Sequence, residues 1–190
     1  MKNEAIIDSI LCLLSEYQNE IVNSKANKSD TDGLRYLIGQ IIRQYDIPKK
    51  NYHLSQDAQT LWNKLSTKSI MDYHYRDIVE CDKISGTIEC NSYKGASKTG
   101  TPVTLSKGLK FVFRQIFHED HIVPVSLIWE EMRDKPMNKQ SLKKLLNKMH
   151  ICYLLKEEDR RIPNTKGRSL DYKDIIDEVY RPAGINLVIK

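Results

Sequence analysis

The chain has 190 residues, of which 40% are hydrophobic and 29% are charged, and its net charge is +5 at neutral pH. This composition is typical of a globular protein with one well-buried core, and its mild basic excess is compatible with a nucleic-acid partner. No apolar segment approaches the ~20 residues needed to span a bilayer. Four scattered cysteines without a CxxC pair argue against a zinc site and favour reduced thiols, so we expect a cytoplasmic protein.

The first third of the sequence predicts helices. Apolar residues recur at helical spacing over residues 4–22 and about 33–45, and Ser55 is placed to cap a third helix that runs through Leu65. This part of the chain has no cluster of catalytic residue types. We therefore predict a helical N-terminal subdomain over residues 1–68, which serves either as a scaffold or as a DNA-contacting or dimerising element.

From residue 69 onward the hydrophobic pattern predicts strands as well as helices. The predicted strands cover residues 71–79, 87–93, 103–105 and 109–117. The later segments predict two helices between 126 and 149, a short apolar strand or helix end over 151–155, a helix start over 157–161, a helix over 172–179 and a closing strand over 185–189. The sequence thus predicts an α+β fold, with a mixed β/α region over residues 69–190.

The stretch from Phe117 to Val125 concentrates the side chains that can carry chemistry. Two histidines and two carboxylates occupy four consecutive positions between two apolar runs, namely His118, Glu119, Asp120 and His121. A core strand would not contain these residues unpaired, because burying unpaired charge costs several kcal/mol. A polar turn between two strands is one interpretation. However, Asp-His followed by Ile-Val-Pro resembles the opening of the site in the HNH, or ββα-metal, nucleases.

The resemblance covers residues 110–162 and implies a metal-dependent endonuclease. Such a site needs a base that activates water and a divalent cation that stabilises the leaving oxygen. By resemblance, His121 is the base, because a neutral imidazole accepts a proton near neutral pH. Asp120 is then the hard oxygen ligand for Mg²⁺, with Glu119 as the alternative ligand and His118 as a supporting residue.

The resemblance leaves two ways to complete the site. The family pattern has an Asn just before a helix and an Asn or His about nine positions later, and Asn138 and Asn147 have this spacing. By resemblance, Asn138 would hold the His121 region and Asn147 would complete the metal site. Alternatively, the helices after residue 126 are an insertion, residues 151–155 form the second strand, and Glu158 (or its neighbour Glu157) is the metal ligand, since a carboxylate suits Mg²⁺ better than an amide.

A run of basic residues without acidic residues precedes the Asp120-His121 motif. Residues 94–110 contain four lysines and no acid. Lysine and arginine suit phosphate oxygens, so we expect DNA contacts from this run and from the arginine that follows it. The predicted contacts are Lys94, Lys98, Lys107, Lys110 and Arg114, and Arg160 and Arg161 are further candidates for a phosphate clamp.

Together these features favour a metal-dependent, sequence-specific endonuclease for double-stranded DNA that resembles the HNH-type bacterial type II restriction enzymes. Cutting both strands of a palindrome would most simply need a homodimer. The alternatives are a homing or nonspecific HNH nuclease, or a non-catalytic DNA-binding or interaction protein in which residues 118–121 form a structural turn. A hydrolase for small phosphoesters is disfavoured, because no Gly-rich loop that opens a helix is present to cradle a phosphate.

Overall fold

The computed structural model describes residues 2–22, 28–94, 97, 99–163 and 169–188. Over these residues the chain has the predicted α+β fold, with a helical N-terminal region. Lys98, one of the predicted phosphate contacts, lies outside the described residues. In the part of the chain that is described, no helix is both long enough and apolar enough to cross a membrane.

Helices and strands alternate irregularly along the chain. The helices are α1 (Lys2–Val22), α2 (Lys28–Ile42), α3 (Gln56–Leu65), α4 (Val125–Arg133), α5 (Lys139–Leu146), α6 (Lys156–Asp159) and α7 (Tyr172–Ile175), which continues as a π-helix over Ile176–Tyr180. The strands are β1 (Tyr52–Ser55), β2 (Ile78–Glu80), β3 (Thr87–Ser92), β4 (Thr101–Ser106), β5 (Lys110–Val112), β6 (Phe117–His121), β7 (Ile151–Leu155) and β8 (Leu187–Val188). The first three helices therefore lie close to their predicted positions.

The chain divides into two compact units, each assembled from separate segments. Unit 1 comprises Met1–Asn51, His121–His150 and Gly167–Tyr172, and unit 2 comprises Tyr52–Asp120, Ile151–Lys166 and Lys173–Lys190. This division differs from the predicted boundary after residue 68. The reasons are that β1 pairs with β7 inside unit 2, and that α4 and α5 pack on α2 and α1 inside unit 1.

Unit 1 is helical, and its core comes from the apolar faces of α1, α2, α4 and α5. The buried side chains recur at helical spacing and include Ile7, Ile10, Leu14, Ile38, Ile42, Ile128, Leu142 and Leu146. The rings of Tyr17 and Trp129 add an edge-to-face contact, with their centroids 4.7 Å apart. Burying each such aliphatic side chain contributes about 1.5–3 kcal/mol, so packing rather than helix propensity holds this unit together.

Unit 2 is built on a mixed sheet with the strand order β6-β7-β1-β8. β1 pairs parallel with β7 and antiparallel with β8. β6 runs antiparallel to β7, because Ile122 N donates to His150 O at 2.8 Å at one end and Lys156 N donates to Ile116 O at 2.7 Å at the other. An antiparallel strand pair, β6 and β7, is thus followed at once by α6.

Two predicted strands in unit 2 need correction. The strand expected over 71–79 is wrong except for β2, because Ser69 caps a 3-10 helix over Ile70–Asp72 and the Asp77 carboxylate accepts from His74 N at 2.7 Å in a turn. Such side-chain-to-backbone bonds compete with strand pairing. The strand expected over 109–117 is interrupted by a 3-10 turn at residues 113–115, which separates β5 from β6.

The interruption between β5 and β6 is stabilised by burial of an aromatic ring. Phe113 is 1% exposed and lies in the core of unit 2, where its ring stacks on Phe117 with a centroid distance of 5.2 Å. Trp62 of α3 packs edge-on against Phe117 at 5.4 Å. These contacts fix which face of β6 points into the core, so the other face is left for polar residues.

Candidate active site

β6 carries His118 and Asp120 on the face opposite the Phe117 ring. Side chains alternate along a strand, so His118 and Asp120 share one face while Phe117 and Glu119 share the other. The adjacent strand β7 leads directly into α6, and the first turn of α6 brings Lys156 and Asp159 against His118. His118, Asp120, Lys156 and Asp159 form a polar group in unit 2, the β6–α6 cluster.

Three side chains of the β6–α6 cluster contact one another. His118 Nε2 lies 3.3 Å from Asp159 Oδ1, and Lys156 Nζ lies 3.1 Å from His118 Nδ1 and 3.2 Å from Asp159 Oδ2. An ammonium group can only donate, so Nδ1 of His118 is the acceptor and Nε2–H donates to Asp159. The contacts therefore select one neutral tautomer of His118.

The electrostatics agree with a neutral His118. Burial lowers the pKa of His118, because desolvation penalises the charged imidazolium, and the nearby Lys156 acts in the same direction. The carboxylates of Asp159 and Asp120 oppose this shift of the pKa. Asp120 is thus close enough to His118 to act on it, and the imidazole is flanked by two acids.

A tyrosine from the C-terminal segment orients Asp120. The Tyr180 hydroxyl, at the end of the π-helix, donates a hydrogen bond to Asp120 Oδ2. Tyr180 is fully buried, so its ring position is fixed by packing. Because this bond holds one carboxylate oxygen of Asp120, it also restricts where the other oxygen can point.

Glu158, the alternative predicted metal ligand, is used inside the fold. Its side chain is buried, and Oε2 accepts from the Ser55 hydroxyl at 2.5 Å and from Leu155 N at 2.8 Å. Ser55 also caps α3 by accepting from Ala58 N at 3.0 Å. Burial raises the pKa of Glu158, and these two hydrogen bonds oppose the rise. The buried carboxylate therefore ties α6 to β1.

The neighbours of Glu158 anchor α6 to the β3–β4 hairpin. The Glu157 carboxylate accepts from Asn91 Nδ2 at 3.1 Å. The Arg160 guanidinium lies 4.2 Å from the centroid of the Tyr93 ring and donates to Ser97 O. Arg160, a candidate for a phosphate clamp, is thus held by protein groups.

Glu119, the alternative to Asp120 as a metal ligand, lies on the other face of β6. His74 Nδ1 approaches its carboxylate at 3.9 Å. Burial raises the pKa of Glu119, and His74 opposes this rise. The structure therefore separates Glu119 from the β6–α6 cluster.

The predicted asparagine pair belongs to unit 1. Asn138 is the N-cap of α5, where its side-chain oxygen accepts from Ser141 N at 2.9 Å. Asn147 ends the same helix, and its Oδ1 accepts from the Tyr45 hydroxyl at 2.9 Å. The helix and the spacing are as predicted, yet both side chains have capping or tethering contacts.

His121, the predicted base, is the last residue of β6, is partly exposed and belongs to unit 1.

The elements follow one another along the chain in the order β6, α4, α5, β7, α6. This order agrees with the second of the two predicted ways to complete the site. The helices after residue 126 are an insertion between two paired strands, and residues 151–155 form the second strand. The residue of α6 that this arrangement brings to the polar face is Asp159, together with Lys156, and not Glu158. Sequence reasoning passed over both residues.

The predicted basic residues that the structure describes do not all lie together. Lys94 and Lys107 flank opposite ends of the β3–β4 hairpin, whose six-residue strands extend over roughly 17 Å. Lys110 pairs with Glu80 at 3.4 Å on the surface. Arg114 lies 4.9 Å from the centroid of the Tyr75 ring and donates to its hydroxyl at 3.2 Å.

The β6–α6 cluster contains two carboxylates, those of Asp120 and Asp159. Among the described residues, no group of three or more His, Cys, Asp or Glu side chains is placed to hold a metal ion. Mg²⁺ is commonly bound through one or two carboxylates, with waters and substrate phosphate oxygens completing its shell. Within the cluster, Asp159 contacts His118 through Oδ1 and Lys156 through Oδ2, and Asp120 accepts from Tyr180 through Oδ2.

Comparison of the chain with known protein families, with curated proteins and with solved structures gives no match.

Proposed function

We propose that the protein is a magnesium-dependent endonuclease that hydrolyses phosphodiester bonds of DNA at the β6–α6 cluster. The observation that supports this proposal is the antiparallel pair β6 and β7 followed directly by α6, with His118, Asp120 and Asp159 on the shared polar face. This strand-strand-helix order is what the resemblance of the Asp120-His121 motif implies.

Each polar group of the cluster has a proposed role. Asp120 and Asp159 would hold the magnesium ion, which when bound supplies positive charge at the phosphate and the leaving oxygen. Tyr180 orients Asp120 through its hydrogen bond. His118 donates to Asp159 and accepts from Lys156, so it positions these two side chains. The base that takes a proton from water is His121, as the resemblance implies, because Nδ1 of His118 is already engaged.

The proposed substrate is double-stranded DNA, cut at a specific sequence by a homodimer. A two-fold dimer presents the same site to both strands of a palindrome. The four cysteines, Cys12, Cys81, Cys90 and Cys152, are free thiols, which suits the reducing cytoplasm as the proposed location.

The proposal is tested by incubating plasmid DNA with the protein and Mg²⁺, with EDTA as the control. We expect Mg²⁺-dependent cleavage, and we expect His121→Ala to lose roughly 10²–10⁴-fold in rate, as removal of a general base does. Asp120→Asn should lose a similar factor across a Mg²⁺ titration, because an amide replaces a charged ligand. The matched control is His74→Ala, which removes an exposed histidine that contacts Glu119 on the other face of β6.

Cleavage by His121→Ala within a few-fold of the wild-type rate would remove His121 from the reaction. Discrete fragments would indicate a sequence-specific enzyme, and a smear a nonspecific one. A wild-type protein that cuts no DNA in Mg²⁺ would overturn the proposed activity.

A non-catalytic DNA-binding protein is the second candidate. The observation that favours it is the internal use of α6, where Lys156 bridges His118 and Asp159 and Glu158 is buried. In that case the cluster only stabilises unit 2. Tight DNA binding without cleavage, unchanged in Asp120→Asn, would select this candidate.

A further inference from the structure

Unit 1 contains a pocket of about 360 Å³ between α2 and the start of α4. The proposed reaction makes no use of it. Its floor is apolar, from Val125 and Trp129, which are both buried. Its polar lining comes from Asp32, Arg35, Tyr36, Gln40, Arg43 and Ser126.

The pocket presents two guanidinium groups, those of Arg35 and Arg43. Neither Arg35 nor Arg43 forms an ion pair with any residue that the structure describes. By contrast, other cations of unit 1 are paired on the surface, such as Lys2 with Asp46 at 3.5 Å and Lys139 with Asp8 at 2.6 Å. Only Asp32 brings a negative charge to the lining, so the pocket favours an anion.

Arg35 lies on α2, and Arg43 directly follows the last residue of α2, where Arg43 N still donates to Gly39 O at 3.3 Å. Arg35, Gly39 and Arg43 are spaced four residues apart, so they share a face, and Gly39 has no side chain to stand between the two guanidinium groups. Arg43 Nη1 donates to Gly39 O at 2.9 Å, which fixes the side chain along the helix. A rise of eight residues along a helix is about 12 Å, so the two arginines can contact different phosphates of one strand.

We infer that this pocket binds the phosphate backbone of the DNA substrate, and the inference rests on the proposed function in taking DNA as that substrate. Arg, Tyr, Gln and Ser side chains, which all occur in the lining, are the types that contact phosphates in protein–DNA complexes. Guanidinium groups bind phosphate through two parallel hydrogen bonds. Tyr36 is 66% exposed, so its phenol is available beside the arginines.

The inference is tested by fluorescence anisotropy with a labelled duplex of about three helical turns in EDTA, so that binding is measured without cleavage. The double variant Arg35→Ala/Arg43→Ala should bind DNA at least tenfold more weakly than wild type. The slope of log affinity against log salt should fall by about 2, because two phosphate contacts are lost. The matched control is Lys49→Ala/Lys50→Ala, which removes two exposed charges outside the pocket and should weaken binding less than threefold.

The variant Arg35→Lys/Arg43→Lys keeps both positive charges but loses the bidentate hydrogen bonds of the guanidinium groups to phosphate. It should therefore keep most of the salt dependence of binding, and its DNA affinity should lie between those of wild type and the alanine variant. Suppose that the wild-type protein binds and cuts DNA, but Arg35→Ala/Arg43→Ala and Lys49→Ala/Lys50→Ala lose DNA affinity equally. This result would overturn the inference and leave the proposed function standing. A wild-type protein that does not bind DNA would overturn both. Circular dichroism of each variant checks that the fold is kept.

Discussion

Replacing Glu158 by alanine should destabilise unit 2, because this carboxylate accepts two buried hydrogen bonds. Glu158 is 1% exposed, and the variant leaves the Ser55 hydroxyl and Leu155 N without their acceptor. Hydrogen bonds to a charged group contribute about 1.5–3 kcal/mol each, and removing the buried carboxylate relieves part of its desolvation. We therefore expect a loss of about 2–4 kcal/mol in the free energy of unfolding. For a chain of this size that corresponds to a fall in Tm of roughly 5–15 °C.

The assay is thermal unfolding followed by circular dichroism, with DNA cleavage measured in parallel. Ser55→Ala should lose stability as well, because the same hydroxyl also caps α3. Glu157→Ala is the matched control, since it removes an exposed carboxylate with one hydrogen bond to Asn91 and should cost less than about 1 kcal/mol. If Glu158→Ala kept the wild-type Tm and lost Mg²⁺-dependent cleavage, Glu158 would be a metal ligand and its structural role would be refuted.

Glu158 should also make the stability of the folded protein depend on pH. Burial raises the pKa of Glu158 in the folded state, so the folded protein binds the proton more tightly than the unfolded chain does. Stability from this group therefore falls as pH rises from the ordinary glutamate pKa through the raised one. Glu158→Gln cannot titrate, so its stability relative to wild type should increase over that window. Urea unfolding at a series of pH values measures the difference.

Three further predictions concern the surroundings of the site. Burial lowers the pKa of His118, so the free energy of unfolding should decrease as pH falls below the ordinary histidine pKa. His118→Gln cannot take up this proton, so urea titrations should show a smaller decrease for this variant. Tyr180→Phe removes the bond to Asp120 and should weaken the apparent Mg²⁺ affinity in cleavage assays, whereas an unchanged Mg²⁺ titration would exclude a positioning role. Gly100→Ala would place a Cβ 2.7 Å from the Tyr93 ring, so it should cost about 1–3 kcal/mol in thermal unfolding, and an unchanged Tm would show that the ring moves freely.

Local signals in the sequence predicted the helices well. The apolar spacing of residues 4–22 and the cap at Ser55 depend on neighbours a few positions away, and α1 and α3 form as expected. The same reasoning failed over residues 71–79. Large and polar residues alternate there as in a strand, but the Ser69 and Asp77 side chains accept hydrogen bonds from the backbone and stabilise turns instead. Alternation alone does not distinguish a strand from two capped turns.

The candidate site was predictable only in its β6 half. His118 and Asp120 stand out as polar residues between two apolar runs. Lys156 and Asp159 become neighbours of His118 only through the pairing of β6 with β7, across an insertion of two helices. The preference of Mg²⁺ for a carboxylate favoured Glu158 as the ligand from that helix, yet Glu158 is buried against Ser55.

The central position of β1 has a consequence for how the chain folds. Its partners β7 and β8 lie far along the sequence, and the Ser55–Glu158 hydrogen bond joins residues 103 positions apart. Contacts of such separation require large loops to close first, which slows folding. During synthesis, β1 leaves the ribosome long before its partner strands exist, so its unpaired edges are exposed in the nascent chain. Unit 2 can therefore complete its sheet only after β8, at Leu187–Val188, has been made.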